Sequence, residues 1–357
     1  MSDVAGSITA MNAIFSTPPR PFDITALFPE LAPLARTATR LHPRPGSPTV
    51  HDSSVGGPLL WPAGEPWPYC DEPHDSRVTT VVHSPDDVRL LRHDRAAAAE
   101  RLRLDPEAPQ WTPEERATWE RLAGRPWFDG PIPLLPVAQL YARDVPFPCP
   151  PDADLLQVLW CPFDHEMAHP RTALFWRSSA TVTDVLDAPP EPPIVQRDCY
   201  LPQPCLFSPE QVTEFPHPGE LGEELREQLD DMSRWETIDP ARYNTYADDP
   251  GELYQNNLST APGWKTGGWS SWPRTDPKPR PCPECGTEQV PLLTIASWEW
   301  DGGSGTWIAE EERTNPAPPP LGAQDGNFTL IDIIGGYDLQ LHVCPASPDH
   351  PHIELLP

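Results

Sequence analysis

The sequence predicts an α+β protein: a tandem duplication of a mostly antiparallel β unit with a CxxC zinc knuckle, and a helical insert in the first copy. Three observations carry this. Sequence blocks recur in a fixed order, short apolar or alternating runs surround them, and Pro281-Cys282-Pro283-Glu284-Cys285-Gly286 has the spacing of a metal knuckle.

Gly56-Gly57-Pro58-Leu59-Leu60-Trp61-Pro62 matches Gly267-Gly268-Trp269-Ser270-Ser271-Trp272-Pro273 as GG-x3-WP. Pro133 to Ala138 matches Pro291 to Ala296, and Leu156 to Pro162 matches Leu339 to Pro345. An Asp-His pair follows the last block in each copy, Asp164-His165 and Asp349-His350.

This divides the chain into an N-terminal segment (1–50), a first repeat (51–182), a connector (183–262) and a second repeat (263–357). Inside the first repeat, about 84–124, Ser84-Pro85-Asp86-Asp87 and Thr112-Pro113-Glu114-Glu115 each combine an N-cap, an early Pro and an acid three positions on. They predict two helices, the second closed by Gly124. Leu155 to Trp160, Ala173 to Trp176 and Leu292 to Trp298 read as strands. Phe328 to Ile334 and Tyr337 to Val343 read as a hairpin across Gly335-Gly336. In the connector, Ala188 to Pro193 is an extended Pro-rich linker, and Ser208-Pro209-Glu210-Gln211 repeats the helix-start signal. Leu221, Leu225, Leu229 and Met232 fall on one helical face ahead of Trp235.

Composition narrows the function classes. The 357 residues include 53 acids against 25 bases, a net charge of −28, which argues against nucleic-acid binding. Thirteen acids and three bases fall between Glu210 and Glu252, and read as a solvated helix and loop. No run approaches the roughly 20 apolar residues of a membrane span. The first residues lack a basic, then apolar, secretory pattern, so a bacterial cytoplasm is expected, with cysteines as thiols or metal ligands rather than disulfides. The 53 prolines disfavour long helices and wide parallel sheets.

Two thiolates three positions apart can grip one ion from a tight turn. With Cys344 and His350, Cys282 and Cys285 would make a Cys3His tetrahedron, for which His342 and His352 are competing fourth ligands. Mixed sulfur and nitrogen donors favour Zn2+ over an iron–sulfur cluster, and four protein ligands favour a structural role. In the first copy Pro73 stands where the second knuckle cysteine should be. Cys70-x3-His74 and Cys161-x3-His165 could still supply Cys2His2; the alternative is a degenerate site with two buried thiols. Cys149, Cys199 and Cys205 read as core or loop thiols. Gly302 to Thr306 reads as a surface turn, since it lacks the ending of a phosphate loop. Trp298-Glu299-Trp300-Asp301 reads as core packing on a strand, with rings and acids on opposite faces. His165-Glu166-Met167-Ala168-His169 matches H-E-x-x-H, a zinc-protease pattern that needs a helix; Pro170 disfavours one at His169.

Gly267-Gly268-Trp269, Trp272, Cys282 to Gly286, Leu292-Leu293 and Cys344-Pro345 together resemble the YwqG-like family of bacterial proteins of unknown function. The first copy contributes Gly56-Gly57, Trp61-Pro62, Gly64, Trp67-Pro68, Cys70 and Pro133 to Leu140. The family has a distant likeness to the C-terminal domain of programmed cell death protein 2. The resemblance spans roughly 51–70, 131–180 and 263–357, and departs at Pro73 and the insert. Some members look associated with toxin–immunity systems, which implies protein binding. The expected function is a cytoplasmic, zinc-stabilised protein-binding module of the immunity or assembly type, with a partner that bears a basic surface. The competing expectation is a metallohydrolase using His165, Glu166 and His169.

Overall fold

A computed structural model describes residues 15–75, 81–165, 168–235, 250–314 and 325–357. Its strands are β1 (Arg36–Arg40), β2 (Arg44–Pro45), β3 (Ser54–Val55), β4 (Tyr69–Cys70), β5 (Ile132–Pro133), β6 (Leu135–Tyr141), β7 (Leu155–Asp164), β8 (Pro170–Arg177), β9 (Cys205–Leu206), β10 (Glu210–Glu214), β11 (Lys265–Gly267), β12 (Val290–Ile295), β13 (Leu339–Val343) and β14 (Ile353–Leu355). They form two six-stranded sheets, in the orders β2-β9-β3-β6-β7-β8 and β10-β1-β11-β12-β13-β14; β4 and β5 pair separately. Every strand pairing is antiparallel. The α+β duplication expected from the sequence is the architecture.

The two sheets have the same order, yet their members are exchanged. β1 precedes the first repeat's strands in the chain but lies in the second sheet, between β10 and β11; β9 precedes the second repeat's strands but lies in the first, between β2 and β3. Registers make the exchange reciprocal: Val55 faces Cys205 as Thr266 faces Thr39. The crossing chains are tied together where they pass, Ser208 N donating to Leu41 O at 2.8 Å.

Inner faces of both sheets share one core. From β7 it takes Leu156, Val158 and Trp160, and from β13 Leu339, Leu341 and Val343. The intervening β7 residues Leu159, Cys161 and Phe163 point the other way, into a second cluster with Trp61, Trp67 and Ile132. Strand alternation therefore puts Cys161 on the outer face. Cys344, the residue after β13, occupies the corresponding position in the second repeat.

Both insert helices form where their caps predict, at Pro85–Leu104 and Pro113–Leu122. Each has a reciprocal capping box, Ser84 with Asp87 and Thr112 with Glu115. Gly124 does not provide a left-handed cap; the second helix ends at Ala123 in αR geometry. In the connector, Leu221 and Leu229 are buried and Leu225 packs against the same cluster as Trp235. Met232 begins a separate short turn and is 57% exposed.

Other expectations fail for identifiable reasons. Ser208-Pro209-Glu210-Gln211 starts strand β10 rather than a helix, because β1 offers a free edge and Gln211-Val212-Thr213 alternates against it. Within the acidic run Glu214 is fully buried rather than solvated. Its carboxylate meets Lys265 Nζ at 2.6 Å and accepts from Ala261 N and Trp269 N, each at 2.8 Å. It lies so close to Gly268 (φ +68°) that a Cβ there would clash with it. Phe328 to Ile334 is not a strand, since β12 and β14 already occupy both sides of β13. Leu330 and Ile334 take positive φ, and only an isolated Ile333–Tyr337 bridge closes over Gly335-Gly336. Trp298 to Trp300 lies beyond the end of β12, so no strand face sorts it. Glu299 is buried beside His42 Nδ1, at 3.4 Å. The Pro133 and Pro291 blocks recur three residues out of register: pairing through a shared bulge aligns Pro136, not Pro133, with Pro291.

Candidate metal centres

The knuckle is built by the backbone. Pro281 bridges Glu288, Cys282 N donates to Thr287 O, and Gly286, at φ +72°, turns the chain so that its N–H reaches Cys282 O at 2.8 Å. β12 begins two residues beyond that bridge and pairs Val290 with Val343, which brings the next residue, Cys344, to the knuckle. The Pro345–Asp349 turn returns His350. Cys285 Sγ lies 3.5 Å from Cys344 Sγ, and His350 Nδ1 lies 3.4 Å from Cys282 Sγ and 3.3 Å from Cys344 Sγ.

Those spacings have a specific meaning. A zinc tetrahedron with bonds of about 2.3 Å to sulfur and about 2.0 Å to nitrogen has edges of about 3.3–3.8 Å. A disulfide would bring sulfurs to about 2.05 Å. Cys282, Cys285, Cys344 and His350 therefore sit at the corners of a metal-sized tetrahedron, with all four donor atoms within 4.8 Å of one another. Backbone N–H groups face the sulfurs. Although burial raises the Cys282 thiol, hydrogen bonds from the Cys285 and Glu284 backbone hold it below the ordinary thiol range. Cys285 falls to about 6, mainly through the Thr287 hydroxyl and backbone. His342 is not part of the group: it is buried, with Nε2 2.9 Å from Ser270 Oγ. His352 instead meets Thr172 Oγ1 at 2.8 Å.

The first repeat assembles an equivalent centre by a different route. β4 and β5 pair Cys70 with Ile132, as Cys282 pairs with Thr287, but the insert opens the chain between them. The lost knuckle cysteine is replaced from the same segment by His74, one position beyond Pro73. Cys161 follows the last β6–β7 pair, Leu135–Trp160, as Cys344 follows Val290–Val343, and His165 comes just after β7 ends at Asp164. Cys70 Sγ is 3.7 Å from His74 Nε2 and 3.8 Å from His165 Nε2, while Cys161 Sγ is 3.2 Å from His74 Nε2. These four donors also lie within 4.8 Å of one another. The Cys161 thiol, then His165 and His74, hold Cys70 down to about 3 against the effect of burial. Cys161, beside that thiolate and buried, is pushed up. Four sulfur and nitrogen donors at this spacing make a pocket that a dication suits.

Glu72 adds an outer support. Its Oε2 lies 2.9 Å from His165 Nδ1, which fixes the proton there and leaves Nε2 to the cluster, and Arg171 grips the same carboxylate. Glu72→Gln is expected to weaken metal affinity at this centre about 10–100-fold, leaving the other centre untouched; competition with a chromogenic chelator would read out two classes of ion in the variant. The sequence offered no pattern for Glu72, because its role depends on a ring brought from 93 residues away.

His165 and His169 do not share a helical face. His165 N donates to His169 O, the reverse of an α-helical bond, and Ala168 has φ +59°. His169 Nδ1 turns to Pro170 O at 2.8 Å, away from the His165 cluster. Glu166 lies outside the described residues. All eight cysteines are free thiols; Cys205 is buried in the shared core, Cys199 packs against it, and Cys149 contacts Ala153 O. Asp301 accepts from Gly303 N and Ser304 N, so the glycine-rich segment starts as a bend, but it is not the expected surface turn throughout: Ser304 is buried and Gly305–Trp307 is a short 3-10 helix. No helix among the described residues is long and apolar enough to cross a membrane.

No protein-family model matches the chain, and no curated protein matches it significantly.

Proposed function

We propose that the chain is a non-catalytic, zinc-stabilised binding protein of the YwqG-like kind, holding one structural Zn2+ in each repeat. The observation that carries it is that both tetrads close with four protein donors at tetrahedral spacing, Cys282, Cys285, Cys344 and His350 in one and Cys70, His74, Cys161 and His165 in the other. A catalytic zinc keeps one position for water or substrate, and a closed set of four leaves none. The ions lock the ends of β7 and β13, and the sheets they brace present a surface to a partner. With a net charge of −28, that partner is a protein with a basic surface, met in the cytoplasm.

Elemental analysis of the purified protein tests this. Two zinc ions per chain are expected, falling to one in Cys282→Ser and to one in Cys70→Ser. No peptidase or esterase turnover should follow zinc loading. A metal-free native protein, or zinc-dependent turnover, overturns the proposal.

A further inference from the structure

Helix Pro85–Leu104 leans over the first sheet and closes a cleft of about 660 Å3, within the size range of small-molecule sites. One wall is Gly56-Gly57-Pro58 with Pro202; the helix contributes Arg89 and Arg92. The duplication supplies an internal reference for this corner. Because Val55–Cys205 corresponds to Thr266–Thr39, Gly56-Gly57-Pro58 corresponds to Gly267-Gly268-Trp269, and Pro202 to Arg36.

In the second repeat the corner is filled by the chain's own indole. Trp269 lies under the Arg36 guanidinium, 3.4 Å from its ring centroid, and donates Nε1 to Leu34 O at 3.0 Å. In the first repeat the short Pro58 ring stands in place of the indole and Pro202 in place of the arginine, both lining the open cleft, and arginines come from the insert helix instead. Arg92 donates to the carbonyls of Asp198 and Leu201 at 2.7 and 2.6 Å. Among the described residues it makes no ion pair with a carboxylate, and burial lowers it to about 10. Arg89 is paired with Asp86 and Glu191. A chain of net charge −28 thus keeps a cation without a bonded carboxylate in a Pro-rich cleft, whose one lining acid, Glu191, is paired with Arg89.

We propose that this cleft binds a small flat aromatic anion, its ring between Pro58 and Pro202, where the other repeat stacks Trp269 on Arg36, and its acid group at Arg92. A guanidinium suits both ends of such a ligand, since it stacks on rings and pairs with carboxylates. This site is independent of the zinc centres.

Indole-3-acetate and 2-naphthoate are the probes, titrated calorimetrically into the zinc-loaded full chain, with indole-3-acetamide as the uncharged control. Saturable one-to-one binding of at least one acid is expected, with the amide weaker by about tenfold or more. Pro58→Trp, at an exposed position on the cleft wall, puts an indole into the space and should abolish binding while the thermal midpoint is kept. Absence of binding by both acids, equal binding of acid and amide, or undiminished binding in a folded Pro58→Trp protein would each overturn the proposal.

Discussion

Cys344→Ser is expected to cost the protein several kcal/mol and to lower its thermal midpoint by about 10 °C or more. Structural zinc in small domains contributes about 10–16 kcal/mol of apparent binding energy, comparable with the whole stability of a typical domain, about 5–15 kcal/mol. With zinc in the proposed centre, Cys344 would couple that energy to the fold, because it directly follows β13, whose Leu339, Leu341 and Val343 belong to the shared core. Loss of one thiolate leaves Cys282, Cys285 and His350 without a complete tetrahedron and frees the knuckle from the Val290–Val343 pairing. Extraction of zinc from the parent with a strong chelator should reproduce the variant's melting curve by circular dichroism. A variant melting with the parent, under conditions where the parent is shown to carry metal, would remove the ion from the account of stability.

Lys265→Met should be the most damaging substitution away from the metal centres, at about 3–5 kcal/mol. Lys265 is 2% exposed and Glu214 fully buried, so their 2.6 Å pair has no water to replace a missing partner. The cost comes from leaving a buried carboxylate with two backbone donors and no cation. Adding Glu214→Gln should recover part of the loss, because the amide keeps an acceptor for Ala261 N while removing the charge. Denaturant midpoints of the single and double variants measure this as a cycle. A single variant within about 0.5 kcal/mol of the parent, the range of ordinary surface changes, would show that the pair contributes little.

Local signals carried a good part of this fold into the sequence. Ser84 to Asp87 and Thr112 to Glu115 announce helices because capping is satisfied within four residues. The Leu156 to Cys161 and Leu339 to Cys344 blocks were legible because a strand buried on both faces tolerates little change, and their shared register puts one cysteine on the same face of each sheet. Both tetrads follow from that match: His74 was visible as the C-x3-H partner of Cys70, though not as the spatial substitute for a second knuckle cysteine.

Non-local features stayed hidden. The exchange of β1 and β9 is a choice of neighbour, and a five-residue and a two-residue strand record no preference between two similar sheets. That exchange turned Glu210 to Glu214 from an expected helix into an edge strand and buried an acid that charge counting placed in water. The apolar run from Phe328 failed for a related reason, since hydrophobicity reports burial and not whether a ladder edge is available.

X-ray absorption at the zinc edge tests the central claim most directly. Two ions in these donor sets hold five sulfurs near about 2.3 Å and three imidazole nitrogens near about 2.0 Å between them, so the averaged shell has four donors per zinc with sulfur and nitrogen in a five-to-three ratio. The account predicts that shell, with no bound water. A shell dominated by oxygen, or coordination above four, would contradict it.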